Sequence, residues 1–398
     1  MRAPLASVGL GATLFALASC REGRRAPTEP PPAPAFGSVV VDFVFGGGDA
    51  GAEFRHPIVF LSGPQVYLVY ALWANGQPRF AGCPGSCDRQ SNWLAGSIRT
   101  ERIAVLYVSA VLTGTGLHVV YDGPGPLRYA TCPGVCYDST HWEAAAADSG
   151  SGTPWFPGVA ADSSGGLHAV YEPGNLTELH YAECFATCLS SSGWTTAVID
   201  RADDVFYSTI GIDATGRIHV LYRAGWRPGL GPQGLKYATC TASCTDPANW
   251  SKTLVDEFEV ESPPFDATPS LAIANDNRLH VAYWAPAGLR YATCGSSCSS
   301  LASWQITTVA TPATRPWYSG SLALAIGPSG TLHLVYPGDA VHYARCAAAC
   351  IDPTSWQTMT ADSGPIIADY VALAVDSADQ PHLAVTASGW VRYLWLRQ

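Results

Sequence analysis

Charged residues are scarce in this chain, and lysine is almost absent. Only 14% of the 398 residues are Asp, Glu, Lys or Arg, the lysines are Lys236 and Lys252, and the formal net charge is −10. Nucleic-acid binding requires a basic patch or stripe on the protein surface. This composition therefore argues against a nucleic-acid partner and against binding to anionic lipid headgroups.

Long helical patterns are also missing. No segment keeps a 3.6-residue apolar period over many turns, and 39 glycines and 30 prolines separate short apolar runs. Short apolar runs separated so often by glycine and proline are typical of many short strands joined by turns. The sequence predicts one large all-β domain over residues 39–398.

The N terminus has the pattern of an export signal. The apolar run 5–18 is too short to span a bilayer and suits a signal peptide. It ends in Leu17-Ala18-Ser19-Cys20, which resembles the lipobox of bacterial lipoproteins. The resemblance implies a signal peptide over 1–19, cleavage before Cys20 and lipid on its thiol. The alternative is an ordinary secretory signal with an incidental cysteine.

Residues 20–38 are expected to form an extended tether, because five prolines lie between positions 27 and 34. About 16 residues at ~3.1 Å each would span roughly 50 Å. The lipoprotein resemblance implies a bacterial protein at the outer membrane or cell surface that contacts the membrane through its lipid alone. Arginine rather than aspartate at position 21 favours the outer membrane.

A cysteine pattern is repeated six times along the chain. Each copy has Cys-x-x-x-Cys followed by a tryptophan six residues later, and successive copies lie 49 to 56 residues apart. The pairs are Cys83-Cys87, Cys132-Cys136, Cys184-Cys188, Cys240-Cys244, Cys294-Cys298 and Cys346-Cys350. A period near 50 residues means that one supersecondary unit is repeated.

Each repeat is predicted to hold four strands, as residues 321–326, 331–336, 340–345 and 356–360 illustrate. Four antiparallel strands per repeat predict a blade of a β-propeller. A seventh repeat starts at Val371 and has only three strands, while an unassigned strand, 39–45, precedes the first repeat. We predict an all-β, seven-bladed propeller whose last blade is completed by this N-terminal strand. Six blades with an appendage are the alternative.

The cysteine pairs are predicted to be disulfides within each loop between the third and fourth strands. A structural zinc site needs four ligands, and each loop offers two. Bridges between neighbouring blades would leave one cysteine unpaired at each end of the series, whereas an i,i+4 pair can reach disulfide distance in a helical turn. We therefore expect no metal at the cysteines.

Two polar positions recur with the repeat, and both are expected to be structural. A histidine occupies the second strand of blades two to seven, and a tyrosine occupies the third strand. An aspartate opens the turn between the first two strands in blades three, four and seven (Asp162, Asp213 and Asp376), where it can bond its own turn. Calcium binding at these turns is the alternative, and no other cofactor is expected.

Aromatic residues precede the innermost strand of every blade, at the face opposite the cysteine loops. We name this the top face and the other the Cys-loop face. Aromatic rings on stiff loops can stack on sugars. Blade four adds a long top-face insertion, 223–234, with Trp226 and Arg227. The predicted ligand-binding residues are Phe54, Tyr107, Trp155, Phe156, Tyr207, Trp226, Arg227, Phe265, Trp317, Tyr318 and Tyr370. The alternative is that the rings only wedge blades together.

The repeat frame Gly-x-Leu-His-Val-x-Tyr…Leu-x-Tyr-Ala resembles bacterial BNR/sialidase-like propeller repeats over residues 39–398. That family includes sialidases, polysaccharide-degrading enzymes and non-catalytic binding propellers. Phe54-Arg55-His56-Pro57 resembles the sialidase Phe-Arg-Ile-Pro motif, which makes Arg55 the one catalytic candidate. The Ser-x-Asp-x-Gly-x-Thr-Trp boxes are absent.

Three functions therefore compete. The sequence favours a surface-anchored, non-catalytic module that binds a glycan or an envelope or extracellular protein through the top face. The alternatives are a sialidase-like glycoside hydrolase or polysaccharide lyase, and a structural envelope protein without a small ligand.

Overall fold

The computed structural model describes residues 35–43, 53–73, 76–99, 105–134, 136–148, 150, 152–174, 176–201, 205–225, 233–258, 268–311, 321–363, 370–387 and 389–397. The strands are β1 (Phe36–Phe43), β2 (Phe54–Ser62), β3 (Gln65–Leu72), β4 (Gln77–Cys83), β5 (Leu94–Ser97), β6 (Val108–Thr113), β7 (Gly116–Tyr121), β8 (Arg128–Pro133), β9 (Glu143–Ala146), β10 (Trp155–Ala161), β11 (Leu167–Glu172), β12 (Glu178–Cys184), β13 (Thr195–Arg201), β14 (Val205–Ile212), β15 (Ile218–Ala224), β16 (Gly234–Cys240), β17 (Ser251–Glu257), β18 (Ser270–Ile273), β19 (Leu279–Ala285), β20 (Gly288–Cys294), β21 (Gln305–Ala310), β22 (Ala323–Ile326), β23 (Leu332–Pro337), β24 (Val341–Cys346), β25 (Gln357–Asp362), β26 (Tyr370–Val375), β27 (Pro381–Ala387) and β28 (Trp390–Leu396). Short 3₁₀ turns precede the six repeat tryptophans, at Gln90–Asn92, Ser139–His141, Ser191–Gly193, Pro247–Asn249, Leu301–Ser303 and Pro353–Ser355.

These strands form seven four-stranded antiparallel sheets, and the fold is a seven-bladed β-propeller. Six blades use four consecutive strands, from β2–β5 to β22–β25. The seventh has the order β1-β28-β27-β26, so the N-terminal strand is its outer strand. The predicted closure is therefore confirmed, and the six-bladed alternative is wrong. β1 begins at Phe36, three residues earlier than predicted, and pairs with β28 from Leu396 to Trp390.

The repeated histidine and tyrosine hold each blade together from within. In blades two to six the histidine Nδ1 lies 2.5–2.7 Å from the tyrosine hydroxyl, and His382 and Tyr393 make the same bond in blade seven. In blades three, four and seven the histidine Nε2 also contacts the turn aspartate at 3.2–3.3 Å. The structural role predicted for the histidines is confirmed.

Each repeat tryptophan packs against the preceding blade. The ring centroids of Trp250 and Tyr181 are 5.3 Å apart, and Trp93 lies 5.3 Å from Tyr393, which joins blade one to blade seven. Blade seven has no such tryptophan, and Phe36 of β1 fills its place at 5.5 Å from Tyr343. Aromatic pairs of this kind contribute about 0.5–1.5 kcal/mol beyond area burial.

All six cysteine pairs are disulfides within their own loops, with Cα–Cα distances of 5.8–5.9 Å, as predicted. In five loops the tryptophan Nε1 donates a hydrogen bond to the carbonyl of the second cysteine at 2.8–3.0 Å. The disulfide thus fixes the loop that positions the inter-blade tryptophan.

A disulfide-free blade four is expected to be less stable. Replacing Cys240 and Cys244 by serine should lower the free energy of unfolding by about 2 kcal/mol, because a crosslink over so short a loop restricts the unfolded chain by that amount. Urea denaturation measures the change. The control Thr241→Ser, in the same loop, should be within about 0.5 kcal/mol of wild type, and an unchanged urea midpoint for the double serine variant would contradict the prediction.

Polar links also join adjacent blades near the top face. Asp256 at the end of β17 accepts a hydrogen bond from Tyr283 of blade five at 2.7 Å and pairs with Arg290 of the same blade. At the closing junction, Asp42 of β1 accepts hydrogen bonds from Tyr70 at 2.6 Å and from Arg79 at 2.8 Å. The N-terminal strand thus supplies both the aromatic and the polar contact that a regular blade would make.

Candidate functional site

One position of the innermost strand is distorted in three blades. The pairing register shifts between Arg55 and Ile58, between Trp155 and Gly158, and between Phe206 and Thr209. Within these bulges His56, Phe156 and Tyr207 have positive φ angles of 47°, 48° and 59°. Residues of this size in the left-handed region cost about 1–3 kcal/mol each. Bulges of this kind re-aim a side chain.

The three rings in the bulges and two further tyrosines form a continuous arc around the top end of the channel. We name Tyr370, His56, Tyr107, Phe156 and Tyr207, from blades seven, one, two, three and four, the aromatic arc. The successive ring centroids are 4.5, 4.7, 4.3 and 4.1 Å apart. Each ring therefore supports the next, and one arc spans five blades.

The central channel contains a cavity of about 350 Å³ below this arc. His56, Tyr107 and Phe156 form one wall, and Thr268 and Ser321 of blades five and six lie across from them. No Asp, Glu, Lys or Arg lines the cavity among the described residues. The cavity therefore combines an aromatic wall with hydroxyl groups and lacks a charged side chain from the described part of the chain.

Serine side chains connect the inner strands around this cavity. Ser109 accepts a hydrogen bond from the Val159 amide at 3.1 Å, and Ser208 donates to the Phe156 carbonyl at 3.2 Å. Ser321 accepts from the Val371 amide at 2.8 Å. These bonds cross from blade to blade, so the channel wall is fixed by the fold.

The predicted ligand-binding residues divide into three groups. Tyr107, Phe156, Tyr207 and Tyr370 belong to the aromatic arc, and Trp155 packs beside it, 6.0 Å from Tyr107. Phe54 is buried and does not line the cavity; Tyr207 and Tyr370, at 2% and 3% exposure, are also buried and support the arc from outside the cavity lining. Trp226, Arg227, Phe265, Trp317, Tyr318 and the predicted lipidation site Cys20 lie outside the described residues.

Arg55, the catalytic candidate, lies next to the arc in blade one. Its Nη2 and Nε contact Glu53 Oε2 at 2.6 and 3.0 Å, and its guanidinium lies 4.9 Å from the ring centroid of Trp73. Trp73 is 43% exposed, and the sequence reasoning did not single it out. Arg55 therefore stands beside an exposed tryptophan and an acidic partner.

Three buried polar residues behind the arc were also missed. Asp122, Glu172 and Arg223 each directly follow the repeated tyrosine of the second strand and are 2%, 0% and 6% exposed. The signal was available, because blades one, five and six place alanine, tryptophan and proline after that tyrosine. A position that varies in an otherwise regular repeat marks asymmetry in the ring.

The two buried carboxyls have different surroundings. Burial raises the pKa of Asp122 to about 7, although the amides of Leu106 and Tyr107 donate to its Oδ1 at 2.8 Å and oppose the shift. Burial raises the pKa of Glu172 well above 4.5. No described group makes a hydrogen bond of good geometry to its oxygens, and Ser208 beside it opposes the pKa shift only in part. Asp122 thus orients Tyr107 of the aromatic arc, whereas Glu172 is a fully buried carboxyl whose ionised form is strongly disfavoured.

The described residues contain no group of three or more His, Cys, Asp or Glu side chains arranged to hold a metal ion. The turn aspartates instead accept bonds from their own turns, as Asp162 does from Ser164 and Gly166 at 2.8 Å. Among the described residues no helix has the length and apolar character needed to cross a membrane.

Comparison with known proteins identifies the fold and no family. No family model and no curated protein matches the chain. Among solved structures, AofleA from Arthrobotrys oligospora is 9% identical, with a TM-score of 0.51 over 83% of this chain and 90% of its own. Polysaccharide lyase Uly1 is 10% identical, with a TM-score of 0.51 over 89% and 91%. An α-L-arabinofuranosidase from Fusarium graminearum is 13% identical, with a TM-score of 0.50 over 73% and 92%.

Proposed function

We propose that this protein is an exported, lipid-anchored binding propeller that holds a saccharide at the top end of its central channel. The observation that carries the proposal is the aromatic arc above the cavity. Three of its rings occupy strained left-handed positions, and such strain persists where the surrounding structure enforces it, often at binding sites. Sugar rings present apolar faces to aromatic side chains and hydroxyls to polar ones.

Binding fits the cavity better than hydrolysis does. Glycosidases generally act through two carboxyl groups that flank the scissile bond, and the described lining of the cavity supplies none. Two of the similar structures are by name a polysaccharide lyase and an arabinofuranosidase. At 10–13% identity they support the choice of ligand class only through a shared fold, which hosts many functions.

The proposed anchor is compatible with access to this site. β1 pairs Phe36 with Leu396 and Phe43 with Trp390, so it enters blade seven at the Cys-loop face and runs towards the top face. A tether that joins the ring at Phe36 therefore does so at the face opposite the aromatic arc. Globomycin-sensitive processing of the precursor and labelling of Cys20 by a radioactive fatty acid would test the anchor separately.

A glycan array probed with the protein tests the proposed function. Wild type should bind at least one saccharide, and Tyr107→Leu and His56→Asn should weaken that binding at least about tenfold, which is ~1.4 kcal/mol. Leucine keeps part of the apolar volume and asparagine tolerates positive φ, so both variants should fold, and their melting temperatures are measured beside the binding. The control is Phe185→Ser, which removes a 62% exposed ring on the Cys-loop face.

Two results would contradict the proposal. One is that the wild-type protein binds no neutral or acidic glycan on the array. The aromatic arc would then serve only to pack the blades together. The other is binding that Phe185→Ser loses and the arc variants retain, which would move the site to the Cys-loop face.

A further inference from the structure

Blade six departs from the repeat twice at the Cys-loop face. Where blades three, four and seven open their first turn with aspartate, blade six has Gly327. Opposite the repeated histidine on the third strand, blades two, four and five have threonine, and blades three and seven have glutamate and tryptophan. Blade six has Arg345, the one cation at this position among blades two to seven. In blades four and five that threonine hydroxyl donates to a strand carbonyl at 2.8 Å. A structural position has thus been replaced by an exposed cation.

Both departures border one cavity of about 480 Å³ between blades six and seven. Its lining includes Thr331, His333, Arg345, Ser355, Gln357 and, from the blade-seven turn, Asp379. Asp379 reaches across because position 327 is glycine, since a Cβ there would lie 1.8 Å from its Oδ1. Ser329 donates a hydrogen bond to Asp379 Oδ2 at 2.8 Å, which fixes the carboxylate at the cavity edge.

His333 has an unsatisfied nitrogen in this cavity. Its side chain is 2% exposed, and Nδ1 lies 2.6 Å from the Tyr343 hydroxyl. Among the described residues Nε2 has no partner within hydrogen-bond distance, and its contact with Asp379 Oδ2 is a longer, ion-pair distance of 3.7 Å. Buried nitrogens without a partner are rare and require an explanation. In the tautomer that the His–Asp contacts of the other blades favour, this Nε2 carries a proton and can donate.

The charges around the cavity are of both signs. Arg345 Nε donates to Gln357 Oε1 at 3.0 Å, and no acidic side chain of the described residues lies within ion-pair distance of its guanidinium. Arg345 and His333 supply donors, and Asp379, whose Oδ2 lies 3.7 Å from His333 Nε2, supplies the carboxylate acceptor. A carboxylate bonds guanidinium and imidazole N–H groups, and an ammonium bonds a carboxylate.

We propose that this cavity binds a small dipolar molecule of the α-amino acid class. Its carboxylate accepts hydrogen bonds from Arg345 and His333 Nε2, and its ammonium group donates to Asp379. The site is independent of the saccharide site, since it lies on the opposite face and uses other residues.

Titration of the intact protein with amino acids tests this site. The twenty protein amino acids are screened by saturation-transfer NMR, and the tightest binder is compared with its deaminated acid and its decarboxylated amine. Loss of either charged group should weaken binding at least tenfold. Arg345→Thr, which restores the residue of the neighbouring blades, should also weaken it at least tenfold.

Asp379→Asn separates the two charges, because asparagine keeps the positive φ of 63° and an acceptor for Ser329. The Asp379→Asn variant should bind the amino acid only as tightly as the wild type binds the deaminated acid. The control is Arg278→Thr, which removes an exposed arginine of blade five and should change nothing. The proposal is overturned if no amino acid binds saturably, if the deaminated acid binds as well as the amino acid, or if Arg345→Thr binds like wild type.

Discussion

A Glu172→Met variant is expected to gain stability over the wild type as the pH rises above 4.5, the ordinary pKa of a glutamate. In the unfolded chain Glu172 ionises near 4.5, whereas burial keeps it protonated in the folded protein to a much higher pH. Between its unfolded and its folded pKa, the folded wild type holds a proton that the unfolded chain has lost. Each pH unit then costs about 1.4 kcal/mol of folding free energy.

The sign of this effect follows from the direction of the pKa shift. A carboxyl whose pKa is raised by folding loses stability as the pH rises from its unfolded pKa towards its folded pKa. Methionine has a similar shape and no charge to lose, and replacing a buried ionisable group by a well-packed apolar one is often stabilising. The expected difference is therefore smallest at pH 4 and grows towards neutrality.

Urea denaturation at half-unit steps from pH 4 to pH 8 measures this difference. The control is Glu257→Met, which also replaces a glutamate at a strand end near the top face but at an exposed position. Its difference from wild type should not vary with pH by more than about 0.5 kcal/mol. Parallel pH profiles for wild type and Glu172→Met would show that Glu172 ionises in the folded protein as it does in the unfolded chain.

The sequence was sufficient for the fold because the repeat determines the architecture. Six copies of one pattern predicted a four-stranded blade. The last copy has only three strands, so the unassigned N-terminal strand was predicted to be its fourth. Phe36 was not foreseen as the closing aromatic, because it takes the place of a tryptophan from a strand with no cysteine loop. Register at that junction depends on packing rather than on a local motif.

The aromatic arc could be located only approximately from the sequence. In a regular strand neighbouring residues face opposite sides, so of Phe206 and Tyr207 only one can reach the channel. A bulge shifts that alternation, and its place is not encoded by spacing. The prediction therefore included Phe54, which is buried and lies outside the arc. It also treated His56 only as a departure from a motif, although this residue joins two tyrosines of the arc.

The three buried polar residues behind the aromatic arc were missed for a different reason. Asp122, Glu172 and Arg223 stand at the ends of strands, where charged residues usually face solvent. Only the three-dimensional packing of one blade against the next makes these strand ends part of the interior. Glu172 lies on the same side of β11 as Val170, which is buried against blade four.

The second large effect is expected at the junction of blades four and five. Asp256→Ala should lower the free energy of unfolding by about 3 kcal/mol, the low end for breaking a buried ion pair, because the Arg290 side chain is 23% exposed and keeps some hydration. The Tyr283 hydroxyl, in a side chain that is 0% exposed, would lose its acceptor, and Arg290 would lose its carboxylate. Asp256→Asn keeps an acceptor for Tyr283 and should cost less.

Asp276, in the turn between the first two strands of blade five, provides a matched control. Its carboxylate lies 3.8 Å from Arg278 Nε, and the two side chains are 67% and 44% exposed. Exposed pairs contribute about 0–1 kcal/mol, and Asp276 also accepts an exposed turn bond from the Arg278 amide at 3.1 Å, so Asp276→Ala should cost about 1 kcal/mol at most in the same urea titration. Equal losses for the two alanine variants would mean that burial does not strengthen the inter-blade pair. The ring would then be held together by its aromatic contacts, and the Asp42 pair at the closing junction would be dispensable as well.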